Sequence, residues 1–271
     1  MAPPNKEEED ELESSKAPLL EHLVELRNRL IYSIWAFFLA FIVCFYFSKD
    51  IYVFLTQPLA DALAGQTDRR MIFTALYEAF FTQVKVAMWG ALCLAFPYMA
   101  YQLWLFIAPG LYRQERKAFL PFLFATPFMF ILGASFVYYL MLPRAIRFFL
   151  GYESHGDNGT IPIELQARVG EYLDFVTTLI FAFGFCFELP VLLALLGRVG
   201  IVTSKGLAGV RRYAIVGVFV VAAVVTPPDV FSQLSLALPL IALYEVSILV
   251  VRMIERKKEA EEAAGTPAQP A

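Results

Sequence analysis

Long apolar runs separated by short charged segments set the pattern of this chain. The first run holds 19 uncharged residues, and the next two hold 27 and 26. A transmembrane helix needs about 20 apolar residues to cross the hydrocarbon core of a bilayer. We therefore predict six membrane-spanning helices, at about residues 30–48, 86–112, 118–143, 172–196, 213–226 and 231–251.

Prolines interrupt several of the predicted spans. Pro97 lies in the second span, Pro121 and Pro127 lie in the third, and Pro190 lies in the fourth. Proline removes a backbone hydrogen bond and kinks a helix. The sequence therefore predicts an all-α integral membrane protein in which six bent transmembrane helices form a concave bundle.

Spans five and six are predicted to be short. Only 16 uncharged residues lie between Arg212 and Asp229. They would form about 24 Å of helix, against a hydrocarbon core of about 30 Å. We expect a short hairpin that thins the bilayer locally, and we hypothesise that partner helices gather there.

The composition supports an integral membrane protein surrounded by lipid. Hydrophobic residues make up 59% of the chain and charged residues only 17%, whereas a soluble domain carries about a quarter charged residues. The net charge of −3 gives no support for nucleic acid as a partner. Cys44, Cys93 and Cys186 lie singly in different apolar runs, and His22 and His155 are far apart in the sequence. We therefore expect no disulfide, no metal site and no cofactor.

The basic residues predict the orientation of the bundle. With six spans both termini lie on one side, together with the loops at residues 113–117 and 198–212. That side holds 15 of the 22 Lys and Arg residues. Cytoplasmic segments are enriched in these residues. We therefore expect cytoplasmic N- and C-termini in a multi-pass protein of the cytoplasmic membrane.

The two ends of the chain differ in composition from its middle. Residues 1–16 are acidic and lack the apolar core of a cleavable signal peptide, so we predict a disordered tail. Residues 17–252 form the predicted six-span membrane domain. Residues 253–271 form a cytoplasmic tail that is first charged and helical and then rich in Pro and Ala.

Glu25 and Glu115 are acids set among basic residues at the predicted cytoplasmic surface. Arg29 follows Glu25 by one helical turn, and this spacing alone favours a surface ion pair. The alternative is that the two carboxylates accept guanidinium groups from a ligand. Arginine offers the forked geometry that such a site would select, and lysine does not. The spacing leaves both interpretations open.

Glu188 is a carboxylate inside an otherwise apolar run. At helical rise it lies about 15 Å from the nearest flanking charge, Arg198, which places it close to the middle of a bilayer. A charged group there costs on the order of 3 kcal/mol or more, and it usually faces a partner or a wet cavity. We therefore favour a docking point for another polar membrane helix, or a proton relay, over a buried structural acid.

A third group of polar residues lies at the turn between spans five and six. The sequence from Thr226 to Asp229 is Thr-Pro-Pro-Asp, which is typical of a turn, and Asp229 can cap the helix that follows. Gln233 lies one turn into span six, where a cap does not explain it.

Four collinear stretches resemble signature motifs of the TatC family, the six-span subunit of the twin-arginine protein translocase. They begin at His22 (HLVELRNR), Phe106 (FIAPGLYRQER), Phe181 (FAFGFCFELP) and Thr226 (TPPDVFSQ). The resemblance covers about residues 18–252 and leaves out both tails. Lys117 stands where the family often has arginine, which leaves the charge unchanged.

The resemblance implies a transport receptor and not an enzyme. Similar proteins bind the Arg-Arg motif of signal peptides on folded cargo at the cytoplasmic face. They assemble with the single-span partners TatA and TatB, and with other copies of themselves, for export driven by the proton-motive force. The partner-helix surface implied for this chain lies around Thr226, Asp229 and Gln233.

The resemblance also implies where the signal peptide binds. Glu25 and Glu115 would hold the twin arginines, with Arg27 and Phe106 nearby. Glu188 would face the concave cavity.

Three other functions fit parts of the pattern. A secondary transporter would use Glu188 as an ion site, but it predicts an inverted repeat, and none is visible. An intramembrane protease would need HExxH, Gly-x-Ser-x-Gly or an Asp pair, and the acids Glu188 and Glu245 are no such pair. In a passive scaffold, Glu25 and Glu115 would be structural, and a protein with both replaced would still transport cargo.

Overall fold

The protein is described here by a computed structural model that covers residues 6–64, 70–107, 113–154, 161, 164–226 and 230–265. The side chains of residues 6–21, 107, 113–120, 231–232 and 261–265 lie outside that description. Over these ranges the chain forms nine α-helices and one π-helical segment. They are α1 (Lys6–Tyr46), α2 (Ser48–Ala62), α3 (Glu78–Ile107), α4 (Arg113–Phe136), the π segment (Val137–Met141), α5 (Leu142–Leu150), α6 (Val169–Phe187), α7 (Leu189–Val199), α8 (Ser204–Val225) and α9 (Val230–Gly265).

Six helical stretches in the described part of the chain are long and apolar enough to cross a membrane, which confirms the predicted number. The short helix α2 lies between the first two predicted spans. The six stretches are His22–Tyr46, Glu78–Phe106, Pro121–Leu150, Val169–Val199, Ser204–Val225 and Gln233–Ala260.

The fourth span is two helices and not the single helix that the apolar pattern predicts. Helix α6 ends at Phe187 and α7 begins at Leu189. Pro190 follows at the start of α7 and has no N–H to donate, so the hydrogen-bond ladder cannot run through this point. Glu188 therefore lies at the joint between two helices.

Helix α8 begins at Ser204, whereas the uncharged pattern predicts a start near residue 213. Thr203 caps the helix, because its side-chain oxygen accepts a hydrogen bond from the N–H of Gly206 at 3.1 Å. Lysine and arginine are good helix formers, so the basic residues 205–212 continue the helix beyond its apolar part. The helix is therefore longer than its uncharged segment.

The boundary predicted at residue 17 is not marked by the end of a helix. Helix α1 runs without interruption from Lys6 to Tyr46, although we predict disorder for residues 1–16. Glutamate, lysine and leucine favour helices even where they have nothing to pack against. Helix α9 likewise continues to Gly265, into the charged tail. The division into a membrane domain and two tails stays a prediction.

The bundle is built from helix pairs. Helix α1 packs along α3, α4 packs along α6, and both α7 and α8 pack along α9. A cavity of about 320 Å³ lies between α2, α3, α4, the π segment and α6. Its walls include Phe54, Trp89, Phe130 and Tyr138. The bundle is concave, as predicted.

At the end of the bundle opposite the termini, Glu78 fixes the first turn of α3 against that of α6. Its Oε2 atom accepts hydrogen bonds from the N–H groups of Thr74 and Ala75 at 2.8 and 3.3 Å. Its Oε1 atom accepts one from the N–H of Gly170 at 3.3 Å. The bond to Gly170 joins the first turn of α3 to the first turn of α6.

Candidate functional site

Five side chains meet where the beginning of the first span passes the end of α3. We call them the Glu25 cluster: His22, Glu25 and Arg29 from α1, and Gln102 and Phe106 from α3. Residues three and four positions apart lie on one face of a helix. Because α1 packs along α3, the two faces meet.

Arg29 joins the two helices of the cluster. Its Nη2 atom donates a hydrogen bond to Glu25 Oε1 at 2.9 Å, and its Nη1 atom donates one to Gln102 Oε1 at 3.3 Å. Its Nε atom is buried and has no hydrogen-bond partner among the described residues. The side chains of Arg29 and Glu25 are only 25% and 31% exposed. The Glu25 carboxylate thus already holds a guanidinium group.

His22 connects Glu25 to Phe106. Its Nδ1 atom lies 3.8 Å from Glu25 Oε2, which is too far for a hydrogen bond. The His22 ring stacks on Phe106 with the ring centroids 4.2 Å apart and the planes inclined by 13°. The structure therefore brings Phe106 and Glu25 into one cluster through His22.

Arg27 and Glu115 are not brought to this cluster by the described contacts. Arg27 is exposed, and its Nη2 atom donates to Oδ1 of the neighbouring Asn28 at 3.3 Å. Glu115 lies in the first turn of α4, but its side chain is outside the described residues. The joint site of Glu25 and Glu115 stays a prediction.

Glu188 lies at the joint between α6 and α7 without a cation. Its Oε1 atom is buried and has no hydrogen-bond partner among the described residues. The side chain of Thr126 and the backbone of Phe130, both on α4, face the carboxyl group. No ion pair within the described part of the chain includes Glu188. The carboxylate therefore keeps an unused acceptor against α4.

Glu245, the other acid within an apolar run, has a partner. Arg211 on α8 donates from Nε to Glu245 Oε1 at 2.6 Å and from Nη2 to Oε2 at 2.9 Å. This is the forked arrangement of two parallel hydrogen bonds that stabilises arginine–carboxylate pairs. The charge of Glu245 is neutralised within the protein.

The residues predicted for the partner-helix surface lie where α8 ends and α9 begins. The hydroxyl of Thr226 is buried and donates to the carbonyl of Ala222 at 2.8 Å. Gln233 Nε2 donates to the carbonyl of Phe219 at 3.3 Å and so joins α9 to α8. Asp229 lies outside the described residues.

Sequence reasoning missed two members of the Glu25 cluster. The pair of Glu25 and Arg29 follows from their spacing, and so does the position of His22 beside Glu25, but Gln102 joins them only because α1 packs along α3. Gln102 carries the single amide side chain among residues 86–112. A lone amide in a predicted span needs a hydrogen-bond partner, and this signal could have pointed to it.

Comparison with known proteins places this arrangement in a family. The family described as "Sec-independent protein translocase protein (TatC)" matches residues 21–239. A protein of that name from Magnetococcus marinus is 51% identical over 249 residues, which cover 92% of this chain and 89% of the relative. A protein of the same name from Rickettsia prowazekii is 44% identical over 235 residues, covering 87% of this chain and 92% of the relative.

Solved structures match the fold as well. A crystal structure described as that of the twin-arginine translocase receptor TatC superposes with a TM-score of 0.73 at 37% identity. The match covers 86% of this chain and 99% of the other. A second crystal structure of a protein so described, in the detergent DDM, superposes with a TM-score of 0.74 at 38% identity and covers 84% and 98% of the two chains.

Proposed function

The chain belongs to the TatC family of protein translocase components, and on that premise we propose that it is the signal-peptide receptor of a twin-arginine translocase. It binds the Arg-Arg motif of signal peptides on folded cargo at the cytoplasmic face. It then assembles with single-span partners of the TatA and TatB type for export driven by the proton-motive force. The protein is a transport component of the cytoplasmic membrane and not an enzyme.

The observation that supports this proposal is the guanidinium already held by Glu25. Arg29 Nη2 lies 2.9 Å from Glu25 Oε1 in a setting where both side chains are mostly covered. A carboxylate that stabilises one guanidinium at the membrane edge has the charge and the acceptor geometry for another. We propose that Glu115 supplies the second carboxylate for the twin arginines, and that Arg27 and Phe106 border the site.

Binding of a synthetic signal peptide tests this function. A peptide with the Arg-Arg pair and the same peptide with Lys-Lys are titrated against the full chain in lipid nanodiscs. We expect tighter binding of the Arg-Arg peptide, because lysine cannot form the forked contact. Glu25→Gln and Glu115→Gln should each weaken Arg-Arg binding by about tenfold or more, since each removes a charge-assisted hydrogen bond worth about 1.5–3 kcal/mol.

Glu259→Gln is the matched control. Glu259 is an exposed acid on the part of α9 that we predict to be cytoplasmic, and its replacement removes the same charge far from the Glu25 cluster. It should leave binding unchanged. Equal affinity for the two peptides, unaffected by Glu25→Gln or Glu115→Gln, would overturn the receptor proposal.

We further propose that the partner helices dock beside Glu188 and at the α8–α9 turn. The buried, unpartnered oxygen of Glu188 supports this, because a polar group of another helix would satisfy it. Thr226, Asp229 and Gln233 belong to the same proposal, as does the association of this chain with further copies of itself. Photo-crosslinkers placed at residues 188 and 233 should capture a TatA- or TatB-type partner; crosslinks to lipid alone would contradict the proposal.

A further inference from the structure

We propose that Arg29 is an internal competitor of the signal peptide: it occupies the Glu25 carboxylate in the free protein and is displaced by an arginine of the incoming peptide. The inference rests on the proposed receptor function, because it concerns how that same site takes up its ligand. Peptide binding would then be an exchange of one guanidinium for another.

The resting contact between Arg29 and Glu25 is incomplete. A single hydrogen bond joins them, from Nη2 to Oε1 at 2.9 Å. Among the described residues, the second oxygen, Oε2, has one ion-pair contact, with Nδ1 of His22 at 3.8 Å. An incoming arginine can bind both oxygens at once, and forked pairs are stronger than single hydrogen bonds. An arginine of the peptide can therefore form one more hydrogen bond with Glu25 than Arg29 forms.

Arg29 also has a second acceptor to hold it once Glu25 is taken. Its Nη1 atom already donates to Gln102 Oε1 at 3.3 Å, across the contact between α1 and α3. Its buried Nε atom has no partner among the described residues, so the present position leaves one of its donors unused. Displacement toward Gln102 keeps the guanidinium hydrogen-bonded and does not bury a bare charge.

The pair of Arg211 and Glu245 is a comparison case, because an incoming arginine would not be expected to displace Arg211. There both carboxylate oxygens receive hydrogen bonds, at 2.6 and 2.9 Å. A competing arginine would gain no acceptor that Arg211 leaves free. The pair of Arg29 and Glu25 differs in having one oxygen open, and this difference makes it replaceable.

Because Arg29 already occupies Glu25, a ligand must bind this carboxylate strongly enough to displace it. A lysine ammonium is a point charge that cannot reproduce the fork, so it displaces Arg29 less readily than arginine does. The apparent affinity of any ligand falls by the fraction of time that Glu25 is occupied. Occupation by Arg29 thus lowers the affinity of the Arg-Arg peptide and of the Lys-Lys peptide by the same factor, and the preference between them comes from the forked contact alone.

Replacement of Arg29 tests the exchange. In Arg29→Gln we expect the Arg-Arg peptide to bind about two- to tenfold more tightly, because a partly covered helix-surface pair no longer competes. The Lys-Lys peptide should gain by the same factor, so the ratio of the two affinities should stay unchanged. Arg29→Lys keeps the charge and should move both affinities the same way by less; it serves as the test if Arg29→Gln fails to fold.

Two controls separate exchange from a general change in charge. Arg212→Gln removes a basic residue from the same predicted side of the membrane, away from the Glu25 cluster, and should not tighten binding. In a Glu25→Gln background, Arg29→Gln should have no further effect, because the competition is for Glu25.

The possible results distinguish a failure of the exchange from a failure of the receptor proposal. If the wild type prefers Arg-Arg and Glu25→Gln removes the preference, but Arg29→Gln leaves affinity unchanged or weaker, the receptor stands and the exchange is wrong. If the wild type does not distinguish the two peptides, the receptor proposal and the exchange both fall.

Discussion

The helix pairs α4–α6 and α8–α9 border the two intramembrane acids, yet they are held together by different means. In α4–α6 the backbones almost touch. A Cβ atom on Gly133 would lie 2.7 Å from the carbonyl oxygen of Phe183, and one on Gly184 would lie 2.5 Å from the Phe130 ring. Glu188, at the end of α6, has no cation there.

In α8–α9, polar side chains join the two helices. Arg211 pairs with Glu245, and the Tyr244 hydroxyl donates to the carbonyl of Leu207 at 2.8 Å. Gly209, in the middle of this stretch of α8, has nothing within 4 Å of an added Cβ. Most of α8 is exposed in the isolated chain.

This difference indicates which acid is available to a partner. The charge of Glu245 is neutralised by Arg211 and stabilises the α8–α9 pair. The buried oxygen of Glu188 has no hydrogen-bond partner among the described residues, and close backbone packing already holds α4–α6 together. We infer that Glu245 is structural and that Glu188 serves an interaction outside the chain.

The largest expected effect on stability comes from Gly133→Ala. The added methyl would meet the backbone of Phe183, so α4 must move away from α6, at a cost of about 1–3 kcal/mol. Thermal unfolding in detergent should show the loss. Unchanged stability would mean that the close approach of α4 and α6 does not hold that pair together.

Arg211→Leu should cause the next largest loss of stability. It leaves Glu245 without its partner, and for a half-exposed pair we expect a loss of about 1 kcal/mol in unfolding free energy. The double replacement with Glu245→Leu removes both charges and should recover most of the stability. A double variant no better than Arg211→Leu would contradict a structural role for the pair.

Gly209→Ala should have a smaller effect of the opposite sign. The position is open, and alanine is the better helix former, so we expect a gain of about 0.5–1 kcal/mol. Set beside Gly133→Ala, the same chemical change then has opposite signs at a position between α4 and α6 and at an exposed position of α8. A loss at Gly209 would show that α8 packs more tightly than the structure describes.

Glu188→Gln should change stability least, by less than about 0.5 kcal/mol, because glutamine keeps an oxygen that can accept from Thr126 and no ion pair among the described residues includes Glu188. Its effect should appear instead in the amount of TatA- or TatB-type partner that co-purifies, which we expect to fall. Glu245→Gln is the matched control: it should lower stability and leave partner recovery unchanged. If instead Glu188→Gln lowers stability and Glu245→Gln lowers partner recovery, the roles assigned to the two acids are wrong.

The sequence predicts those parts of the fold that depend on local pattern. The number of spans follows from apolar runs, and the pair of Glu25 and Arg29 follows from helical spacing. The start of α8 at Ser204 was missed because basic residues end an apolar run without ending a helix. The interruption of the fourth span is predicted from Pro190, and the structure shows it as a break at Glu188 that separates α6 from α7.

Contacts between helices could not be predicted in the same way. Gln102 reaches Arg29, and Arg211 reaches Glu245, across helix pairs that only the packing defines. Periodicity gives the face on which a residue lies but not the face that it meets. This is why two similar acids, Glu188 and Glu245, look alike in the sequence and differ in the structure.

Mapping where the twin arginines bind tests the central claim most directly. A signal peptide with a photo-reactive residue beside the Arg-Arg pair is bound to the full chain in nanodiscs, irradiated, and the crosslinks are identified by mass spectrometry. We predict crosslinks within residues 22–29 and 102–106, the two segments of the Glu25 cluster, and their loss with the Lys-Lys peptide. Crosslinks confined to the surroundings of Glu188 or to the α8–α9 turn, or equal labelling by both peptides, would contradict the account.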